Sequence, residues 1–124
     1  MKSSDLNNYF NGEISIQVFL EILQTEVEQY LKLHKKRGVS IPIFFNEDQE
    51  VYLNSQILKK LLTQITQEPN GKNTLAYIFD CLTLGGKVHY TDPVSTEIIF
   101  DFADIEACSQ LNHSSVLALL NKLT

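Results

Sequence analysis

Apolar residues recur at three- and four-residue spacing along much of this chain, which is typical of helices with one buried face. The longest pattern runs from residue 15 to residue 36 and places Phe19 and Leu23 on the same side. Ser15 stands before it as an N-cap, a residue whose side chain accepts a hydrogen bond from a first-turn amide. Gly38 follows as a C-cap. The pattern therefore predicts a long amphipathic helix.

The remaining patterns predict four or five shorter helices. Asn54 and the pair Asp92-Pro93 are strong start signals, because Asn and Asp cap helices and proline suits the first helical position. We expect these helices near residues 3–11, 54–67, 74–84, 93–102 and 114–122. The apolar stripe of the last helix predicts that it buries Val116, Leu117, Leu120 and Leu123.

Residues 39–53 break this pattern. Pro42 excludes a continuous helix there, and the polar run from Asn46 to Gln49 is turn-like. We expect a short hairpin or two extended segments, while residues 88–90 are too few to classify. The predicted fold is mostly α: a compact single domain of five or six helices over residues 1–124, with a minor extended or hairpin element near residues 39–53.

The charge of the chain argues against nucleic-acid binding. Ten basic and 15 acidic residues give a formal net charge of -5, and Arg37 is the only arginine. Recognition of phosphates favours arginines and basic stripes, which this chain lacks. No apolar run is long enough to span a membrane, and the first residues have no signal-peptide core. We expect a cytoplasmic protein that binds neither nucleic acid nor membrane.

The residues that most often bind metals or act as nucleophiles are scattered. Cys81 and Cys108 lie among apolar residues, which predicts buried free thiols, although a disulfide between them stays open. None of His34, His89 and His113 has another histidine or a cysteine within four residues, as zinc sites usually require. No nucleophile elbow or phosphate-binding loop is present. We therefore expect no metal, no cofactor and no enzyme activity.

Acidic residues do cluster, in two places. One set lies on the helix predicted at residues 93–102 and just after it, and comprises Glu97, Asp101, Asp104 and Glu106; the other lies on the predicted turn and comprises Glu47, Asp48 and Glu50. Each set is either a solvated face or a binding face for a basic partner. A third alternative is a small hydrolase that uses carboxylates near Asp80 and Asp101.

Five segments share a pattern of apolar and turn positions rather than a catalytic motif: 6–15 (LNNYFNGEIS), 40–43 (SIPI), 75–84 (LAYIFDCLTL), 94–102 and 103–105. In the order of these features the chain resembles the small immunity proteins of bacterial contact-dependent growth inhibition and related polymorphic toxin systems.

The resemblance implies a protein that neutralises one cognate toxin by stoichiometric binding. Such toxins are often nucleases with a basic cleft, which an acidic surface would complement. The resemblance transfers no individual functional residue, so both acidic sets remain hypotheses about the binding face. A helical adaptor or regulatory subunit with an unrelated protein partner is the alternative interpretation.

Overall fold

The computed structural model describes residues 1–34 and 43–123, and these form helices and one small sheet. The mostly α fold predicted from the sequence is confirmed. The helices are α1 (Ser3–Phe10), α2 (Ile16–His34), α3 (Ser55–Ile65), α4 (Gly71–Leu84), α5 (Pro93–Asp101), α6 (Ile105–Ser109) and α7 (His113–Lys122). The strands are β1 (Val51–Leu53) and β2 (Val88–Tyr90).

Helix α4 is the centre of the fold. Nine of its 14 residues are buried, so it is apolar on most of its circumference. Such a helix must be covered on several sides, and α2, α3, α5 and α6 all contact it. Its first residue, Gly71, lies so close to the end of α3 that an added Cβ would come within 1.7 Å of the Ile65 carbonyl oxygen. Glycine at this position lets α4 turn tightly against α3.

The extended element differs from the hairpin alternative. Strand β1 pairs in parallel with β2, with Val51 opposite Val88 and Leu53 opposite Tyr90. A parallel pair cannot close through a short turn, so α3 and α4 make the connection. The extended alternative is confirmed by β1, and the hairpin is wrong for residues 43–53. Residues 39–42, which the prediction also included, lie outside the described residues.

The chain start is anchored in the interior. The Met1 ammonium group forms an ion pair with Glu26 on α2 and donates hydrogen bonds to the Phe44 carbonyl at 2.7 Å and the Tyr77 hydroxyl at 3.2 Å. Met1 itself is only 3% exposed. A buried charge is tolerated because it is paired and hydrogen-bonded. These contacts connect α1, α2 and α4 through one group.

The C-terminal region departs furthest from the sequence prediction. Helix α6 was not predicted, because five residues are too short to show a helical period. In α7 the prediction of burial is confirmed only for Leu123. Val116 and Leu120 are half-buried, and Leu117 is 45% exposed. The α7 stripe therefore does not close completely onto the core.

We predict that Glu26→Gln lowers the free energy of unfolding by about 1–2 kcal/mol, because the Met1 ammonium loses its charged partner. Chemical denaturation at neutral pH measures this change. Glu21→Gln is the matched control on the exposed side of the same helix, and it should change stability by less than about 0.5 kcal/mol. Equal stabilities of the two variants would contradict the anchoring role of Glu26.

Candidate protein-binding surface

Helix α5 is held by a capped start and an apolar inner face. The Asp92 carboxylate accepts a hydrogen bond from the Ser95 amide at 2.7 Å, as its predicted N-cap role requires. Ser95, Ile98 and Ile99 are buried. The opposite side of the helix is fixed toward solvent by this packing.

The solvent side of α5 carries Glu97, Phe100 and Asp101. Phe100 and Asp101 follow Glu97 by three and four residues, so both are neighbours of Glu97 on the helix surface. All three side chains are exposed, and the Phe100 ring remains 54% exposed although it lies 6.1 Å from the Tyr90 ring between centroids. The result is an exposed aromatic ring and two carboxylates on the solvent side of one helix, which we call the α5 stripe.

The carboxylates of the α5 stripe have no basic partner in the described part of the chain. Across residues 1–34 and 43–123, ion pairs form only between Met1 and Glu26 and between Glu50 and His89. Within these ranges, no ion pair neutralises the charges of Glu97 and Asp101. Charges of this kind attract cationic groups over roughly a Debye length, about 10 Å at moderate salt.

The other two predicted acids of this region have separate environments. Asp104 is the N-cap of α6 and accepts from the Glu106 amide at 3.3 Å. Its charge also acts on Asp80 and Tyr30, which lie on α4 and α2. Glu106 is exposed. The structure therefore brings Glu97 and Asp101 together, whereas Asp104 lies toward α4.

Glu47 and Asp48 of the second acidic set make hydrogen bonds within the chain. The Glu47 carboxylate accepts from the Gly86 amide at 3.2 Å and from the Lys87 amide at 2.7 Å. Asp48 accepts from the Ser3 hydroxyl at 2.9 Å. These bonds give both acids a structural role beside the binding role predicted from the sequence, which stays a prediction.

Asp48 accepts several hydrogen bonds from residues at the start of the chain. Besides the bond from Ser3, it accepts the Ser4 amide at 2.9 Å and the Ser4 hydroxyl at 2.6 Å. Hydrogen bonds to the charged form favour that form, and they lower the pKa of Asp48 to about 2. The carboxylate thereby holds the first turn of α1 against the segment that leads into β1.

Glu50 belongs to a small exposed cluster on the sheet. Its carboxylate lies 2.9 Å from Nε2 of His89, and the His89 ring stacks on Tyr52 with centroids 4.8 Å apart. Tyr52 is 60% exposed, so it is available to a partner. Tyr90, on β2, is half-buried and donates a hydrogen bond from its hydroxyl to the Leu82 carbonyl at 3.3 Å.

Phe100 was missed by the sequence analysis. The apolar positions that form the inner face of α5 are buried or half-buried, as their spacing predicts. The signal was nevertheless local: Phe100 falls three residues after Glu97 and one before Asp101, on the polar side of the helix. An aromatic residue at a polar position of an amphipathic helix is the pattern that would have identified it.

Asp80 and Asp101, the two acids of the hydrolase alternative, lie in different environments. Asp80 is half-buried and accepts a hydrogen bond from the Tyr30 hydroxyl at 3.0 Å. Burial raises the pKa of Asp80, and the nearby charge of Asp104 adds to the increase. Asp101 is exposed at the end of α5. The acid that acts on Asp80 is thus Asp104, itself bonded to the start of α6.

The remaining reactive groups are buried or dispersed. Cys81 and Cys108 are free and fully buried, and burial raises the pKa of their thiols to about 11 and about 12. Such thiols are poor nucleophiles at neutral pH. Within residues 1–34 and 43–123, no three His, Cys, Asp or Glu side chains are grouped as metal ligands. No helix in the same ranges is long and apolar enough to cross a bilayer.

Comparisons with known proteins give no relative: no family model, no curated protein and no solved structure matches this chain. The resemblance to immunity proteins therefore stays a prediction. The function has to be argued from the residues and their geometry.

We predict that Asp48→Asn destabilises the protein at neutral pH, because the serine donors of α1 lose a charged acceptor. The folded-state pKa of about 2 lies below the unfolded value of 3.8. This stabilisation is therefore present above the unfolded pKa and is lost as the pH falls through about 2.

Urea midpoints of the parent and of Asp48→Asn, measured from about pH 7 down to about pH 2, test this prediction. The difference should narrow below about pH 4. Glu13→Gln, at an exposed position after α1, is the control and should show no such pH-dependent difference. A difference that is constant with pH would mean that the Asp48 charge is not involved.

Proposed function

We propose that this protein is an immunity protein that binds and neutralises a cognate bacterial toxin by stoichiometric protein–protein binding. The target that best suits its surface is a nuclease domain with a basic cleft. The observation that carries the proposal is the α5 stripe, in which Glu97 and Asp101 share the solvent side of the helix with the exposed ring of Phe100. The resemblance of the sequence to such proteins is the second support.

The charge of the α5 stripe is opposite to the charge that a nuclease needs in its cleft. A cleft that attracts phosphates presents lysine and arginine, so its field also attracts carboxylates. Glu97 and Asp101 have no basic partner among the described residues, so a basic cleft can approach them without displacing a described ion pair. Charge complementarity of this kind mainly speeds association and suppresses wrong partners.

The aromatic part concerns the lifetime of the complex. A few desolvated aromatic or arginine side chains near the centre of an interface usually supply most of the binding energy. Phe100 is a large apolar side chain that stays 54% exposed in the free protein. Its ring can leave water only when a partner covers it, whereas the carboxylates of Glu97 and Asp101 can stay at the polar rim of the contact. The ring also offers its face to a lysine or arginine of the partner.

The partner itself is identified by co-purification. The tagged product of the adjacent upstream gene, expressed with this chain, should be retained with it at one-to-one stoichiometry, and its toxic activity should be suppressed. A nuclease assay on the purified toxin domain with increasing immunity protein should reach complete inhibition at equimolar protein. Binding to a non-toxic partner without any inhibition would favour the adaptor alternative.

We predict that reversing both charges of the α5 stripe, in Glu97→Lys/Asp101→Lys, slows association with the toxin by on the order of tenfold at low salt. Stopped-flow association from about 50 to about 500 mM salt measures the effect, which should shrink as salt screens the charges. Glu13→Lys/Glu21→Lys changes the net charge equally at exposed sites outside α5 and is the matched control. Equal slowing by both pairs would reduce the stripe to a share of the net charge.

We further predict that Phe100→Ala accelerates dissociation of the complex by roughly 10- to 30-fold while leaving the association rate within about twofold. The side chain is largely exposed, so the free variant should retain the parent stability. Surface plasmon resonance with the immobilised toxin separates the two rates. Leu84→Ala is the control, because Leu84 is also an exposed apolar residue, at 65%, but lies outside α5. An unchanged dissociation rate for Phe100→Ala would place the anchor elsewhere.

A further inference from the structure

A cavity of about 330 Å³ lies between the end of α3, the start of α4 and α7. Its walls include Val116, Leu117 and Leu120 of α7 and Thr66 after α3. Cavities that bind small molecules typically measure about 300–1,000 Å³ and are mainly apolar with a few polar groups. The cavity is therefore at the small end of the ligand-binding range.

The apolar wall of this cavity explains the burial pattern of α7. Val116, Leu117 and Leu120 recur at helical spacing, and this stripe predicts burial in the core. In the structure, Leu117 remains 45% exposed and the other two are only half-buried, because they face the cavity. An apolar stripe that lines a cavity is stabilised further when an apolar ligand excludes water from it.

The ionisable groups that line the cavity are basic. Lys72 and His113 both line it, whereas none of the described lining residues is acidic. This is unusual for a chain with 15 acidic residues and a net charge of -5. Within residues 1–34 and 43–123, Lys72 forms no ion pair. The cavity thus combines apolar walls with a cation that has no described carboxylate partner.

We propose that this cavity binds a small anionic amphiphile, a free carboxylate with a medium-length acyl chain. The acyl chain packs against Val116, Leu117 and Leu120, and the carboxylate pairs with Lys72, aided by His113. A neutral or cationic amphiphile lacks the charge complement. The volume excludes a large ligand from complete burial. This site is separate from the α5 stripe and does not depend on the proposed inhibition of a toxin.

Decanoate, used below its micellar concentration, is the probe. Isothermal titration of the full chain should show saturable one-to-one binding, with decanol and decyltrimethylammonium binding at least tenfold more weakly. Lys72→Met should weaken decanoate binding by about tenfold or more, since it removes a charge-assisted hydrogen bond. Lys122→Met, at an exposed position of α7 outside the cavity, should not change it.

Leu117→Asp provides a second variant that keeps the fold. Leu117 is 45% exposed, so the domain should remain folded by circular dichroism while the new carboxylate repels decanoate and abolishes binding. Four results would overturn the proposal: no saturable binding of decanoate, equal binding of the cationic probe, no effect of Lys72→Met, or binding only to anionic lipid vesicles. Concentration-dependent dimerisation that Leu117→Asp abolishes would instead identify a second copy as the occupant, and would also overturn it.

Discussion

Burial of helix α4 is the constraint on which the rest of the structure depends. Because nine of its 14 residues are buried, α2, α3, α5 and α6 must all pack around it. This arrangement fixes the inner face of α5 through Ile98 and Ile99 and consequently turns Glu97 and Phe100 toward solvent. The candidate binding surface is thus the outer side of a helix whose inner side is needed to cover the core.

Four acidic residues of this protein fall into two groups: two that bond to other residues of the fold, and two that have no ion pair in the described ranges. Glu26 neutralises the Met1 ammonium, and Asp48 holds the serine donors of α1, so both carboxylates stabilise the fold. Glu97 and Asp101 make no ion pair in the described part of the chain. Net charge alone would treat these groups alike, yet a basic partner would compete with existing bonds at Glu26 and Asp48 and with no described ion pair at Glu97 and Asp101.

Local signals predicted the helices well, whereas non-local contacts did not follow from the sequence. The caps at Asn54 and Asp92 depend on amides three residues away, and both form as predicted. The pairing of β1 with β2 joins segments separated by two helices, which no local pattern encodes. The same limit applies to the site. The partners of Asp48 lie more than 40 residues away in the sequence, so its structural role could not be predicted from the local pattern. The apolar stripe of α7 predicted burial in the core, because a stripe in the sequence does not show whether it faces the core or a cavity.

The central claim is that the outer side of α5 meets the partner. Hydrogen–deuterium exchange of the protein alone and in its complex with the toxin domain tests this claim directly, because it maps the contact without altering a residue. If the outer side of α5 meets the partner, exchange should slow in peptides covering residues 93–106 and stay unchanged in α1. Protection confined to α1 and α2, with residues 93–106 exchanging as in the free protein, would contradict it.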